Sequence, residues 1–288
     1  MLKSRLTQNA VSKLKTIFRF EQQDVNWSID DLHHYSDAFA RGLRQSQIGR
    51  DNKVLFWVDE NHTTEFVTSV YGTFKAGAQA LALNKLLSEG DRANPRIVRE
   101  VIEHHNPSAV VVSPNQKIGA STKGEVLLNA IPEALSSGTT GYIKVPTASN
   151  LKFLIQTAFF ARPGFIKFRD FLVYRTKNYS KFPLFDTLAG VEELETRTGP
   201  LLQGVRPEDQ VFVVSGLDNH DLVIRAILEA NANGNVVVFV SDGVVSKSDF
   251  LFASDVDPNV KLHFVGSPEQ IDAVKAKISH ANVNLISA

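Results

Sequence analysis

A short loop rich in glycine and hydroxyl residues is the feature of this sequence that most directly suggests chemistry. Residues 136–144 read SSGTTGYIK, and the candidate ligand groups belong to Ser136, Ser137, Gly138, Thr139, Thr140, Gly141 and Lys144. Glycines let several backbone N–H groups converge, while hydroxyl groups and a lysine add donors and positive charge. Such a loop is suited to cradling the phosphates of a nucleotide.

Other catalytic signatures are absent from the sequence. There is no cysteine, which excludes disulfides, thiol nucleophiles and cysteine-ligated metal centres. No serine stands in a nucleophile-elbow pattern, and no paired-carboxylate signature occurs. We therefore expect no catalytic residue and no cofactor apart from what the glycine-rich loop could hold.

The histidines do not form a metal-binding pattern. His33/His34 and His104/His105 are adjacent pairs, whose members point about 100° apart on a helix and cannot share one metal as residues four apart would. His220 stands in the sequence NHDL, where Asn219 or Asp221 can serve a helix N-terminus. The sequence predicts no metal site.

Composition and charge fit a globular protein and exclude several function classes. The 288 residues are 43% hydrophobic and 22% charged, with 31 basic residues balancing 31 acidic ones. No long run of one sign marks a nucleic-acid surface. No segment approaches the roughly 18 consecutive apolar residues of a membrane-spanning helix.

Helical and extended patterns alternate from Trp27 onward, which predicts an α/β fold with a mainly parallel, layered sheet and helices on both faces. Ser28 followed by Asp31 predicts an N-cap for a helix ending near Gly49. Further helices are predicted at 62–75, 94–105, 221–230 and 269–279. Strands are predicted at 53–58, 78–83, 109–113, 151–157, 211–215, 236–241, 261–265 and 283–286.

Residues 159–204 lack clear periodicity, and we predict a mostly irregular segment there. Aromatic and basic side chains alternate in it, a composition that is enriched at protein interfaces but is also compatible with an ordinary core and its rim. The interface candidates are Phe159, Phe160, Arg162, Phe165, Phe168, Arg169, Phe171, Tyr174, Tyr179 and Phe182.

The N-terminus has the composition of a mitochondrial presequence. Residues 1–20 contain five basic residues and no acidic residue, and their apolar positions form a rough amphipathic helix. A basic, solvated helix is the alternative. The sequence thus predicts a basic segment at 1–25, followed by one α/β domain at 26–288. It also predicts mitochondrial localisation, in association with the inner membrane.

Residues 26–84 resemble the opening of the adenylate-forming acyl-CoA synthetase, luciferase and peptide-synthetase superfamily. The family's pattern of helix, turn, strand, helix and "lys-ala-gly-ala" strand is matched in order and spacing. The matching residues are Trp27, Ser28, Leu32, Ala40, Leu43, Gly49, Asp51, Val54, Asn61, Glu65, Phe66, Gly72, Lys75, Ala76, Gly77, Ala78 and Asn84. The resemblance extends to about residue 265 and implies the N-terminal α/β region of that family.

The resemblance also bears on the glycine-rich loop. In the family the phosphate loop follows a "pro-gly, phe-x-asp-leu" segment, whereas SSGTTGYIK precedes that segment here and carries Ile143 and Val145 where relatives have proline and glycine. Between Asp186 and Glu208, where the family loop is expected, the sequence is acidic. We interpret 136–144 as a structural loop, with a phosphate loop as the alternative.

Relatives also carry a "tyr-gly-x-thr-glu" motif, a ribose-binding aspartate and a mobile lid with a catalytic lysine, none of which occurs in these 288 residues. The resemblance therefore predicts a chain without AMP-forming ligase activity, serving as a structural or accessory subunit of a mitochondrial assembly such as a respiratory complex or an ATP synthase. Its partners are then other protein subunits, with peripheral membrane association through the complex. The alternatives are a residual nucleotide or acyl-ligand binder, or an enzyme half that needs a partner chain.

Overall fold

Two compact units make up the chain, one from residues 1–33 with 186–288 and the other from residues 34–185. The structure is a computed structural model that describes residues 17–20, 23–138, 141–160, 162–174, 201–202, 204–207, 209–214, 219–240, 261–275 and 283–287. We call the two units the split unit and the central unit. Each contains its own sheet of mainly parallel strands, which confirms the predicted α/β class.

The elements alternate along the chain as the sequence pattern predicts. The described strands are β1 Ile17–Phe20, β2 Val25–Ser28, β3 Lys53–Trp57, β4 Gln79–Ala82, β5 Ala109–Val112, β6 Lys117–Ile118, β7 Ser121–Thr122, β8 Phe153–Gln156, β9 Ile166–Lys167, β10 Gln210–Val214, β11 Val236–Val240, β12 Leu262–Gly266 and β13 Val283–Ser287. The described α-helices are α1 Ile29–Gln45, α2 Thr63–Lys75, α3 Leu83–Leu86, α4 Pro95–His105, α5 Lys123–Ala130, α6 Phe168–Phe171, α7 His220–Asn233 and α8 Pro268–Lys275. Short 3₁₀ helices lie at Glu60–His62 and Pro132–Ser136.

The split unit contains a six-stranded sheet in the order β13-β12-β10-β11-β1-β2. All neighbouring strands are parallel except β1 and β2. Aromatic rings tie β2, β1 and β11 together: Phe20 stacks on Phe239 at 5.4 Å and meets Trp27 edge-on at 5.0 Å between ring centroids. Phe18 and Phe20 are fully buried.

Strand β1 changes the predicted division of the chain. Residues 17–20 lie between β11 and β2 as an inner strand, so the sheet includes residues that the sequence pattern assigned to a separate basic segment at 1–25. The short alternation IFRF, with Phe18 and Phe20 inward, is the period-2 signal of a strand. Basic residues around it masked that signal in favour of an amphipathic helix. Residues 1–16 are outside the described part of the chain.

The amino ends of three strands in the split unit are held by three connected polar side chains, of which Asp209 and His263 are buried. Asp209 lies 3.2 Å from His263 Nε2, and Asn284 Nδ2 lies 3.1 Å from His263 Nδ1. His263 and Asn284 are register partners on β12 and β13. Burial lowers the pKa of His263 despite the Asp209 carboxylate, so the ring is neutral at pH 7 and donates its Nε2–H to Asp209. Asp209 thus aligns strands.

The central unit contains a five-stranded parallel sheet in the order β4-β3-β5-β8-β9. Alternate residues face opposite sides. Leu55, Trp57, Val110, Val112 and Leu154 share one apolar core with Val98 and Ile102 of α4 and with Val126 and Leu127 of α5. On the opposite face, Phe56 meets Phe66 of α2, and Phe153 meets Phe171 of α6. Helices therefore cover both faces, as expected for a parallel sheet.

A buried ion pair joins α1 to α2 in the central unit. Lys75 Nζ donates to Asp37 Oδ1 at 2.7 Å and to Ser36 Oγ at 2.8 Å. Burial lowers the pKa of Lys75 to about 8, although Asp37 opposes that shift. The lysine of the family-like "lys-ala-gly-ala" sequence therefore acts in packing two helices.

Helix starts were the best-predicted boundaries. Ser28 Oγ accepts from the Asp31 N–H and Asp31 Oδ2 accepts from the Ser28 N–H, which confirms the predicted capping pair. The sequence interpretation missed α5, although Thr122 and Glu125 form a capping box with the recognisable S/T-x-x-E spacing. None of the helices in the described part of the chain has the length and apolar character to cross a bilayer.

Gly42 allows α1 to approach the segment that contains α6, and we expect its replacement to disrupt this contact. A Cβ at position 42 would lie 2.2 Å from the Phe171 carbonyl oxygen. Gly42→Ala should lower the free energy of unfolding by about 1–3 kcal/mol, the usual cost of overpacking. Helix propensity alone predicts the opposite sign, a gain of roughly 1 kcal/mol.

Urea denaturation of the full chain measures this effect, and Gly90→Ala is the control because nothing lies within 4 Å of its added Cβ. Unchanged or increased stability of Gly42→Ala would show that the close approach is not required.

Candidate functional site

The carboxyl edge of the central sheet carries a cluster of polar side chains. The chain passes from β3 to β4 on one side and then to β5 on the other, so the strand order reverses between β3 and β5. Open α/β sheets bind ligands beyond the carboxyl ends of their strands at such a switch point. Asp59 follows β3, Ser113 follows β5 and Thr157 follows β8. We call these residues, with His62, the switch-point cluster.

Hydrogen bonds connect every member of the switch-point cluster. The Asp59 backbone N–H donates to Ser113 Oγ at 2.9 Å, and the Thr157 hydroxyl donates to the same oxygen at 3.3 Å. Asp59 Oδ1 lies 2.9 Å from His62 Nδ1 and accepts from the Asn61 N–H at 2.9 Å. The cluster therefore links the ends of three parallel strands to the turn that begins α2.

The Asp59–His62 pair is ionised over a defined pH range. Burial alone would raise the pKa of Asp59, but the hydrogen bond and charge of His62 outweigh it and the pKa lies below its ordinary value. Burial would lower the pKa of His62, but Asp59 outweighs it and raises that pKa. The stabilisation from the pair is thus present between the depressed pKa of Asp59 and the elevated pKa of His62.

Lys123, the first residue of α5, lies at the same sheet edge. Its ammonium group donates to the Trp57 carbonyl oxygen at 3.2 Å and lies 5.5 Å from the centroid of the Trp57 ring. Only 4% of the residue is exposed. Burial lowers its pKa to about 8, against the opposing charge of Asp59. Lys123 supplies a positive charge to carbonyl groups at the end of β3.

The geometry of the switch-point cluster does not fit a serine nucleophile relay. In such a relay the acid and the serine contact opposite nitrogens of the histidine. Here Asp59 Oδ1 and Ser113 Oγ both approach Nδ1, at 2.9 and 3.3 Å. Ser113 is fully buried, while the His62 side chain remains 23% exposed. The cluster therefore fills the switch point with the chain's own side chains and presents one imidazole to solvent.

The glycine-rich loop lies elsewhere in the central unit, between α5 and β8. Ser136 ends the 3₁₀ helix, and its hydroxyl donates to the Glu133 carbonyl oxygen at 2.7 Å. Gly138 and Gly141 adopt φ angles of +63° and +65°, a region that favours glycine. Thr139 and Thr140 are outside the described residues, and Lys144 is exposed.

Residues on both sides of the loop are anchored to the central unit. Ile143 and Val145 are buried in the same core as Ala134 and Leu151. On the preceding side, Arg99 of α4 pairs with Glu133 at 2.9 Å. Beyond the loop, Arg99 also donates to the Thr147 hydroxyl at 3.1 Å. The segment therefore covers one edge of the core.

The two adjacent histidine pairs and His220 lie on helices. The His104 and His105 rings meet edge-on at 4.9 Å near the end of α4, and among the described residues no group of three or more His, Asp or Glu is arranged to hold a metal ion. His220 begins α7, where Asn219 Oδ1 accepts from the Leu222 N–H at 3.4 Å. That contact confirms the predicted capping role of Asn219.

The aromatic interface candidates separate into two groups. Phe165, Phe168 and Phe171 are buried in the central unit, where Phe39 packs against Phe168 and Phe171 at 5.4 Å. The side chains of these three fill the unit's own core, which favours the core alternative over the interface interpretation. Arg162 is half-buried, whereas Phe159, Phe160, Arg169 and Tyr174 are exposed. Tyr179 and Phe182 lie outside the described residues.

Sequence reasoning did not find the switch-point cluster. The available signal was the polar residue that directly follows each of three buried strands: Asp59 after KVLFWV, Ser113 after AVVV and Thr157 after FLIQ. Polar side chains at the carboxyl ends of parallel strands meet at one edge. Identifying them required the strand order, which the sequence does not contain.

The family follows from comparison with known proteins. A profile described as "AMP-binding enzyme" matches residues 7–158, more than half of the chain. This chain belongs to the AMP-binding enzyme family. No curated protein sequence matches it.

Solved structures of acyl-CoA and acid ligases share the fold. A putative long-chain-fatty-acid CoA ligase from Rhodopseudomonas palustris CGA009 aligns at a TM-score of 0.55 with 15% identity, covering 98% of this chain and 74% of that one. A mutant form of coronafacic acid ligase from Pectobacterium brasiliense aligns at 0.60 with 13% identity, covering 99% and 55%. A benzoate CoA ligase from Burkholderia xenovorans LB400 aligns at 0.54 with 16% identity, covering 98% and 54%. The chain thus spans about half the length of the last two.

Replacing Asp59 tests the role of the switch-point cluster. In Asp59→Asn the His62 ring loses its carboxylate, so the pKa of His62 should fall. Stability should fall by about 1.5–3 kcal/mol, the range for a hydrogen bond to a charged group. The loss should be larger at pH 5, where His62 is protonated, than at pH 9, where it is neutral.

Urea denaturation at the two pH values and NMR titration of His62 measure these effects. Asp51→Asn, at an exposed position outside the cluster, is the matched control. An equal loss at both pH values with an unchanged His62 titration would show that the ion pair does not hold the cluster.

Proposed function

We propose that this chain is a member of the AMP-binding enzyme family that no longer carries out AMP-forming ligase chemistry and serves as a structural or accessory subunit of a multi-subunit assembly. The fold is that of acyl-CoA ligases. The packing of the glycine-rich loop and the charge of residues 186–208 support the loss of the chemistry, and the composition of residues 1–20 supports the assembly and its location.

The packing of the glycine-rich loop is the observation that carries this proposal. A phosphate loop must leave its backbone N–H groups and lysine free to surround a triphosphate. In this chain Ile143 and Val145, at the positions of the family's proline and glycine, are buried in the core, and Arg99 ties down both flanking regions. These contacts favour a structural segment over a flexible phosphate clamp.

Acidic side chains at two other positions also favour the loss of nucleotide binding. The sequence between 186 and 208, where the family resemblance places the phosphate loop, contains Asp186, Glu192, Glu193 and Glu195 and no Ser/Thr/Gly-rich loop with a lysine. Carboxylates would repel a triphosphate. At the switch point of the central sheet, the Asp59 carboxylate lies against His62 and the Asn61 N–H, which adds a negative charge at the place where a nucleotide would bind. Both positions are thus poorly suited to a nucleotide.

The assembly we propose is mitochondrial, with other protein subunits as partners. The basic, acid-free composition of residues 1–20 supports import, and a respiratory complex or an ATP synthase with additional subunits is the kind of assembly that fits a catalytically inactive relative of an enzyme. Association with the inner membrane follows from membership of such a complex.

Calorimetry with Mg·ATP separates this proposal from its alternatives. We expect no heat of binding for the full chain at micromolar concentrations, and no change in stability for Lys144→Ala because Lys144 is exposed. Micromolar binding that Lys144→Ala abolishes and the control Lys117→Ala preserves would contradict the proposal and favour a retained nucleotide site. Binding that appears only with a partner chain would favour an enzyme half.

The N-terminus provides an independent test of the mitochondrial assignment. Since β1 is an inner strand with Phe18 and Phe20 buried, import processing should leave Ile17 and all following residues in the mature chain. N-terminal sequencing of the protein from purified mitochondria measures the cleavage position. Absence from mitochondria, or a mature chain that begins after Phe20, would contradict this part of the proposal.

A further inference from the structure

The exposed large hydrophobic side chains of the described residues are concentrated in one stretch of the central unit. They are Leu135, Tyr142, Phe159, Phe160 and Tyr174, all within residues 135–174. Phe159 is 68% and Phe160 80% exposed, although they are neighbours in sequence. Large adjacent apolar side chains at a surface mark an interaction site more often than scattered single ones do.

The same stretch is strongly basic. Residues 135–174 contain Lys144, Lys152, Arg162, Lys167 and Arg169 against a single acid, Asp170, whereas the whole chain has no net charge. The sequence has no acidic residue between Glu133 and Asp170. We call this part of the central unit the aromatic-basic surface. Lys167 and Arg169 both approach Asp170, at 3.9 and 3.7 Å, and Lys152 donates to the Ser46 carbonyl oxygen at 2.8 Å. One carboxylate cannot neutralise the remaining basic groups, so the net positive charge of the stretch is complementary to an anionic partner.

Contacts bring separate parts of the stretch together around residues 164–171. Ala134 lies against Gly164, and Gly141 lies against Ile166. The Arg169 guanidinium lies over the Phe159 ring, 4.6 Å from its centroid. Leu135 and Tyr142 directly follow two of these contact points in the sequence. Residues 164–171 therefore connect the segments that carry Leu135, Tyr142 and Phe159.

The two exposed phenylalanines are held in place. The buried Gln156 side chain donates to the Phe160 carbonyl oxygen at 2.9 Å, and the Phe159 and Phe160 rings meet edge-on at 5.4 Å. They lie on a bend just after β8, at the carboxyl edge of the sheet. The bend thus presents two rings outward at little further cost in conformational entropy.

We propose that the aromatic-basic surface binds the surface of an anionic lipid bilayer. A bilayer interface supplies both required environments at once, an apolar boundary for phenylalanine and leucine and anionic headgroups for lysine and arginine. A protein partner would also suit the exposed aromatics, but lysine, which supplies three of the five basic residues, is depleted at protein interfaces. A stretch with five basic residues and one acid fits a uniformly anionic surface better. This inference does not depend on the proposed loss of ligase chemistry.

Vesicle co-sedimentation of the full chain tests the proposal. We expect binding to phosphatidylcholine vesicles that contain cardiolipin or phosphatidylserine, little binding to phosphatidylcholine alone, and weakening with added salt. Phe159→Ser/Phe160→Ser should weaken binding at least about tenfold, since each buried phenylalanine contributes roughly 1.5–3 kcal/mol. Lys144→Gln/Lys167→Gln should weaken it about fivefold for each charge removed, at about 1 kcal/mol per charge.

The matched control is Lys85→Gln/Lys117→Gln, which removes two exposed lysines outside the stretch and should change vesicle binding by less than about twofold. Circular dichroism checks that all variants fold. No binding to anionic vesicles, or equal loss in the control, would overturn the proposal. It would also be overturned if Phe159→Ser/Phe160→Ser prevented assembly on native gels while the wild type failed to bind vesicles, because the surface would then be a protein interface.

Discussion

The hydrogen bond from the Asp59 N–H to Ser113 Oγ is the constraint around which the central unit is organised. It joins the carboxyl ends of β3 and β5, the two strands between which the order of the sheet reverses. A parallel sheet leaves its strand ends without ladder partners at that edge, and a ligand commonly uses the space. In this chain Asp59, His62, Ser113 and Thr157 use it themselves.

The consequence is a central unit whose polar groups serve mainly to hold strands and helices together. Lys123 donates to backbone carbonyls at the same edge, Lys75 joins α1 to α2, and Arg99 secures the segment around the glycine-rich loop. Buried charges of this kind need partners, because an unpaired charge in the interior is strongly destabilising. Lys75 pairs with Asp37, Arg99 pairs with Glu133, and Lys123 donates to the Trp57 carbonyl oxygen, so each of these contacts contributes to stability.

The position of the glycine-rich loop in the fold bears on what the loop does. The chain belongs to the AMP-binding enzyme family, yet SSGTTGYIK, its most suggestive motif, lies between α5 and β8 with Ile143 and Val145 in the core. A motif of glycines and hydroxyl residues satisfies the requirements of a tight turn as well as those of a phosphate site. Position in the fold, rather than composition, distinguishes the two uses. In this chain, the burial of Ile143 and Val145 favours a structural turn over a phosphate site.

Much of the fold was predictable because the core strands are continuous runs of apolar residues and the helices carry clear caps. VLFW, AVVV and VVVFV could be read directly as buried strands, and Ser28 with Asp31 marked the start of α1. Strand β1 was missed because four residues are too few for periodicity to outweigh the basic composition around them.

The candidate site was far less predictable than the fold. Asp59, Ser113 and Thr157 are 44 or more residues apart in sequence and meet only because β3, β5 and β8 are neighbours in the sheet. For the aromatic group, composition alone could not separate Phe159 and Phe160, which face outward, from Phe165, Phe168 and Phe171, which fill the core. That distinction depends on which side of a bend each ring occupies.

ATP–pyrophosphate exchange is the most direct test of the claim that this chain has the fold of an AMP-forming ligase without its chemistry. The assay detects adenylate formation with any carboxylic acid substrate, so pooled fatty, aromatic and amino acids can be examined with the full chain and with its native assembly. The account predicts no acid-dependent exchange above the protein-free blank in either sample. Exchange that saturates with ATP and one acid, and that Lys144→Ala eliminates, would contradict it.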